Sequence, residues 1–168
     1  MKAGTIHTLV QRATSLRAAA AAAVVVMWTA LPPPARAVDL RGTAEAVAGD
    51  TLKIDGKTIG LYGIVAPKPQ QRCFDNALPW WCGRYSQEGL ARLIKGADVR
   101  CTDKGRSPSG TMLALCKVGN VDLAESQIRN GLAVADGARG VTYAEAERTA
   151  RRNQTGIWHG NPDGTFTP

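Results

Sequence analysis

The side chains with the most definite chemistry in this sequence are four cysteines, Cys73, Cys82, Cys101 and Cys116. In a small exported domain an even number reads as a disulfide framework. We expect Cys73–Cys82, which staples a proline-rich loop, and Cys101–Cys116, which joins two strand-like runs across one connection. A zinc site is the rival chemistry. It lacks support, because there is no C-x-x-C pair and His159 is the only histidine beyond residue 37. His159 has no partner pattern and reads as a surface residue. Trp80 and Trp81 are adjacent and could stack on a base or a sugar. The plainer reading packs one under the loop and leaves the other partly exposed. Trp158, beside a helix end, reads as core, and Asp50, between Gly49 and Thr51, reads as a turn carboxylate.

Composition bounds what these residues can serve. The chain has 168 residues, 44% hydrophobic and 21% charged. That balance is globular, and it excludes a disordered tail protein, a collagen-like repeat and a polytopic membrane protein. The formal charge of +7 is unevenly placed. Residues 1–37 hold Lys2, Arg12, Arg17 and Arg36 and no acid, so residues 38–168 carry 17 basic and 14 acidic side chains. So small an excess is compatible with an anionic partner and does not demand one. Residues 1–37 also read as a secretory signal peptide: a basic start, the apolar run Ala18–Leu31, and Ala35-Arg36-Ala37. The run is shorter than the roughly 20 residues of a membrane span. Cleavage near Ala37 leaves residues 38–168 as a single exported domain, periplasmic or extracellular, with no membrane segment.

The elements that must position these residues follow from periodicity. Thr51–Ile54 and Lys57–Leu61 alternate around Asp55-Gly56, which predicts a hairpin with a type I′ turn. Leu52, Ile54, Ile59 and Leu61 then form its apolar side, and Tyr62–Ala66 extends the second strand until Pro67. Residues 67–82 read as a stapled loop. The spacing of Leu90, Leu93 and Ile94 before Gly96 predicts a helix over Ser86–Lys95. Asp98–Cys101 and Thr111–Val118 read as strands. Capping boxes at Asp122-x-x-Glu125 and Thr142-x-x-Glu145 open two further helices, with a short strand over Leu132–Ala135 between them. The order is β-β-β, α, β-β, α, α. It lacks a βαβ period and suits a small barrel with helices around it.

Several short motifs recur along this frame. Ala48-Gly49-Asp50-Thr51-Leu52, Gly63-Ile64-Val65-Ala66-Pro67 and Gln71-x-Cys73 come first. Cys82-Gly83, Gly110-x-Met112-Leu113-Ala114-x-Cys116, Asp122-Leu123, Asn130-Gly131-Leu132-Ala133, Tyr143-x-x-Ala146-Glu147 and Gly156-Ile157-Trp158 follow. In this order, from about Ala46 to Trp158, they resemble the staphylococcal nuclease (thermonuclease-like) domain. The resemblance implies an α+β, mainly β fold: an OB-fold, a five-stranded antiparallel barrel with three helices.

The resemblance also implies calcium-dependent phosphodiester hydrolysis, and this chemistry needs particular residues. Carboxylates hold the cation, a glutamate activates water, and two arginines clamp the phosphate. Position by position, the first metal carboxylate falls on Asp50 and the second on Val65. The glutamate falls on Lys68, and the arginines fall on Gly60 and Thr111. Only Asp50 keeps the required type. Loss of a general base costs about 10²–10⁴-fold and loss of an arginine clamp about 10³-fold or more. The expectation is therefore a domain without catalytic residues and without calcium. It binds nucleic acid or another anionic ligand weakly, or a protein partner. Lys68, Arg72, Lys104 and Arg106 would form a basic rim for that purpose, although a solvated face explains them equally. The alternative is a rewired calcium-dependent DNA/RNA endonuclease. In it a loop arginine such as Arg72 or Arg106 swings to the phosphate, and Glu45 or Asp103 supplies a carboxylate.

Overall fold

A computed structural model of the chain describes residues 39–75 and 77–159. The expected targeting segment, residues 1–37, lies outside the described residues. The Asp55-Gly56 turn forms as its chemistry dictates, with φ of 48° and 77° at its two positions. It joins β2 (Thr51–Ile54) to β3 (Lys57–Leu61), with Leu52 opposite Ile59. Leu52, Ile54, Ile59 and Leu61 are all buried. A long strand that periodicity does not signal, β1 (Asp39–Ala48), pairs with β2. Its inward positions include Gly42, Ala44 and Ala46, residues of low strand propensity, so alternation in size is faint there.

β1 pairs on its other side with β7 (Asp98–Arg106), and β7 pairs with β8 (Met112–Val118). β8 then runs parallel to β3, with Ile59 opposite Met112 and Leu61 opposite Ala114. These five strands close a barrel of the expected OB kind. The closing seam is its parallel pair. Leu90, Ile94, Val99, Ala114, Leu123 and Ile128 complete the buried core between barrel and helices.

The second strand does not continue through Ala66 as expected. The chain turns at Tyr62-Gly63, where Gly63 has φ of 84°. A side chain there would come within 2.9 Å of the Tyr143 ring. The segment beyond, β4 (Ile64–Val65), instead pairs with the short strand β10 (Val134–Ala135). Inside the expected loop lies a small hairpin, β5 (Cys73–Asp75) and β6 (Leu78–Trp80). The first helix, α1 (Cys82–Ile94), begins about one turn before Ser86. No side chain caps its start, so the sequence carries no start signal there.

Both expected disulfides, Cys73–Cys82 and Cys101–Cys116, are present, and no described cysteine is free. Cys101 and Cys116 are direct cross-strand partners on β7 and β8. Two such bridges suit an oxidising compartment. No helix among the described residues is long and apolar enough to cross a membrane.

The second helix, α2 (Leu123–Arg129), follows the two-residue strand β9 (Val121–Asp122). Asp122 caps it, its Oδ1 accepting from the Ala124 and Glu125 amides. The reciprocal half of the box is replaced, because Glu125 pairs with Arg129 at 2.6 Å. The other oxygen of Asp122 accepts from the Tyr143 hydroxyl at 3.1 Å. The box expected at Thr142 does not form. A 3₁₀ turn, Val141–Tyr143, precedes α3 (Ala144–Arg152), and no side chain caps that helix. Ala146 and Ala150 face inward, and Glu147 Oε2 accepts from the Ala135 amide at 2.8 Å. Trp158 is core, buried with Cys82, Ala150 and Ile157 under the Arg151 guanidinium.

One junction ties barrel and helices together. Gly49, in the turn after β1, lies against α1 so closely that a Cβ would sit 1.7 Å from Ser86 Oγ and 2.9 Å from Ala66 Cβ. Gln127 of α2, fully buried, donates from Nε2 to the carbonyls of Gly49 at 2.7 Å and Ser86 at 2.9 Å. Ser86 Oγ donates to the Leu132 carbonyl.

Two stability predictions follow from these contacts. Gly49→Ala should cost about 3 kcal/mol or more in urea unfolding, because the added methyl meets packed atoms on two sides. Adding Ser86→Gly should recover part of that loss. The second concerns Tyr143, whose phenol is pushed above its ordinary value by burial first and the Asp122 carboxylate next. The folded state thus favours the protonated phenol. This contribution is complete below the unfolded value of about 10 and is lost as pH rises above it. Alkaline denaturation should therefore be steeper for the parent than for Tyr143→Phe. At neutral pH the variant should lose about 1 kcal/mol for the missing hydrogen bond.

Candidate functional site

The positions singled out by the sequence lie on neighbouring strands of the barrel. Asp50 sits in the turn entering β2, and its backbone carbonyl accepts from the Leu61 amide at 2.7 Å. Its carboxylate is half-buried and bonded on both oxygens. Oδ2 accepts from the Ala66 amide at 2.9 Å and Oδ1 from the Thr51 hydroxyl at 2.8 Å. Asp50 thereby latches the β1–β2 turn onto the segment that leads from Val65 to Lys68. That segment is itself held: the Lys68 carbonyl accepts from the Gln71 amide at 2.7 Å, and the Lys68 amide donates to Gln71 Oε1 at 3.1 Å. The Lys68 carbonyl presses on the start of α1, 1.7 Å from where a Cβ on Gly83 would be.

Gly60 lies in the middle of β3, paired with Thr51 on one side and Leu113 on the other. It is buried, and a Cβ there would meet Leu113 Cδ2 at 2.9 Å. The space a longer side chain would leave by is thus filled by leucine, a partner that sequence spacing does not reveal. Val65 pairs with Val134 and is half-buried. Thr111 precedes β8, closing a tight loop: its amide donates to Ser107 Oγ at 3.1 Å and its carbonyl accepts from the Ser107 amide at 2.8 Å. These positions form an almost neutral surface with one bonded carboxylate and one exposed ammonium, Lys68.

The four cations divide into two pairs on different elements. Arg72 lies over the Trp81 ring, 4.3 Å from its centroid, beside the loop that carries Lys68. Lys104 and Arg106 stand at the far end of β7, where Arg106 is opposite Met112. Arg106 bonds both oxygens of Asp103, at 3.0 and 2.9 Å. The Gly105 amide, and after it this guanidinium, hold the Asp103 carboxyl below the usual carboxylate range. Arg106 and Asp103 are therefore engaged with each other. Glu45 lies elsewhere, lining a groove between β1 and α1 with Ala46, Glu88 and Arg92. Among the described residues, no three His, Cys, Asp or Glu side chains cluster to hold a metal ion.

Of the aromatic pair, Trp80 is half-buried and packs its ring edge-on to Tyr85, 5.5 Å between centroids, while Trp81 is exposed. His159 is exposed but not alone: its Nδ1 lies 2.9 Å from Asp75 Oδ2 on the β5–β6 hairpin.

Comparison with known proteins agrees with this architecture. The sequence pattern of the family described as "Staphylococcal nuclease homologue" matches residues 58–160. The succinoglycan biosynthesis protein ExoI of Rhizobium meliloti (strain 1021) is 32% identical over 126 residues, which cover 73% of this chain and 66% of that protein. Barrel, motif order and matched sequence together make this chain a member of the staphylococcal nuclease family.

Proposed function

We propose that this chain is an exported, non-catalytic member of the family that binds an anionic or protein partner. The observation that carries the reading is Gly60, a buried position without a side chain, with the Leu113 methyl against it. The arginine this position holds in the family would require the tip of the Leu113 side chain to move aside. Three further positions point the same way: Val65 offers no carboxylate, Thr111 no guanidinium, and Lys68 an ammonium where a base would stand. Calcium takes six to eight oxygen ligands, far more than Asp50 can supply. Its two oxygens already accept the Ala66 amide and the Thr51 hydroxyl. A cation at Lys68 also repels a second cation.

Export is supported by the two disulfides and by the signal-like residues 1–37. The relative's name associates that protein with succinoglycan biosynthesis, which supports a role beside a polymer other than DNA. Nucleic acid remains within the proposed ligand range, held weakly and lost with salt, because few phosphates can be neutralised. A rewired nuclease that recruits Arg106 needs it to leave Asp103, and their two-oxygen contact weighs against that route.

The test is direct. Purified protein incubated with single-stranded DNA and with RNA should give no cleavage that depends on calcium. Metal-dependent cleavage abolished by Asp50→Ala would overturn the proposal. Calcium should likewise not raise the melting temperature. Calorimetric binding tighter than about millimolar, the weak end of extracellular sites, would show a fuller ligand set than the one proposed.

A further inference from the structure

The β5–β6 hairpin carries its apolar side outward. Cys73 pairs with Trp80 and Phe74 with Pro79, so Phe74 and Pro79 share one face while Cys73 and Trp80 point toward the body. Continuing the register puts Arg72 opposite Trp81 on that same outward face, consistent with their stacking at 4.3 Å. Phe74 is 62% exposed, Trp81 45%, and Tyr85, one turn along α1 from Trp81, 53%. These are three of the six large exposed hydrophobic side chains among the described residues; Leu78, paired with Asp75, lies on the other face of the hairpin. The Cys73–Cys82 bridge fixes the base of the hairpin to α1. The aromatic strip is thus held rigid and costs little ordering on binding.

We propose that this stapled face is a binding site for an acidic polysaccharide. Aromatic faces carry partial negative charge. The axial C–H groups of a pyranose carry partial positive charge and lie flat against such a ring. Phe74 and Trp81 supply those rings, and Tyr85 packs edge-on against Trp80 beside them. The Arg72 guanidinium lies over the Trp81 ring, which brings a planar two-pronged donor beside the exposed aromatic side chains for a sugar carboxylate. Lys68 provides a second cation, its backbone packed against the start of α1. Neither cation has an ion-pair partner among the described residues.

Charge selects this ligand over the others an apolar face could take. A nucleic acid brings a phosphate with every base, whereas this face offers two cations beside its exposed aromatic rings. A bilayer would have to take up the Asp75 carboxylate, which shares the hairpin end with Leu78. A second copy docked about Trp81 would set Arg72 against Arg72. The site does not depend on whether the barrel cleaves phosphodiesters.

Calorimetry on the disulfide-intact protein tests it, with oligogalacturonate as the probe. Neutral dextran oligomers and oligo-dT serve as comparisons. We expect saturable binding to oligogalacturonate, weaker binding to dextran and weakest binding to oligo-dT. Trp81→Ala and Phe74→Ser should each weaken oligogalacturonate binding about tenfold. Arg72→Gln should weaken it and reduce its salt dependence. Each variant should keep the parent melting transition, and Phe74→Ser serves if Trp81→Ala does not. No saturable oligogalacturonate binding, binding unmoved by these substitutions, or tighter binding to oligo-dT would overturn the proposal. So would dimerisation abolished by Phe74→Ser.

Discussion

The contact between Gly49 and Ser86 is the constraint on which the rest of the molecule depends. It lets the turn after β1 touch α1 with no side chain between them, and Gln127 fastens the approach by donating to both backbones. A buried amide that donates to two carbonyls has its orientation fixed, because a flip would set oxygen against oxygen. Gln127 Oε1 is left without a hydrogen-bond partner, close to Gly89, where a side chain would crowd it. From this point the turn passes directly to Asp50. The carboxylate then fixes the strand exit at Ala66, so the surface where the family works is anchored to the packing of two helices.

That anchoring gives Asp50 a structural task which any ligand role would share. Its oxygens accept from groups of the chain itself, Ala66 N–H and Thr51 O–H. Around it the barrel has gone over to packing: leucine covers Gly60, valine meets valine at Val65, and Thr111 closes a serine-rich loop. On the proposed reading, Gly60, Val65 and Thr111 fill or fold the barrel where a hydrolase of the family would carry charge. Such exchanges free a scaffold from the strain and like-charge repulsion of an active site.

Much of the frame could be read from residue types, and the misses have physical reasons. Asp55-Gly56 specified its turn because few residues adopt left-handed backbone twice in succession. The cysteine pairs followed from loop and strand spacing. Asp122 announced its helix, although only half of its box forms, because Arg129 offers Glu125 a charged partner. β1 escaped because alanine and glycine fill its inward positions. The early start of α1 escaped because tertiary contacts with the Lys68–Gln71 loop, and no capping side chain, begin the helix. Thr142 looked like a cap and lies in a 3₁₀ turn instead. At the site, residue types set the expectation for each position. They could not reveal that Leu113 occupies the room beside Gly60, or that Arg106 is held by Asp103, since both depend on cross-strand register and backbone bends.

The parallel seam between β3 and β8 carries a consequence for how the molecule is made. As the chain emerges from its N-terminus, β1, β2 and β3 can pair early, but the sheet they form has an open edge on each side. β1 waits for β7 and β3 waits for β8, and both arrive only after α1 has been synthesised. Unpaired edges of this kind recruit other chains. The two missing strands belong to one hairpin, cross-linked at Cys101–Cys116. A hairpin locked in register can dock as one piece and cover both edges in a single step, so oxidation of this cysteine pair shortens the time the half-built barrel stands open to aggregation.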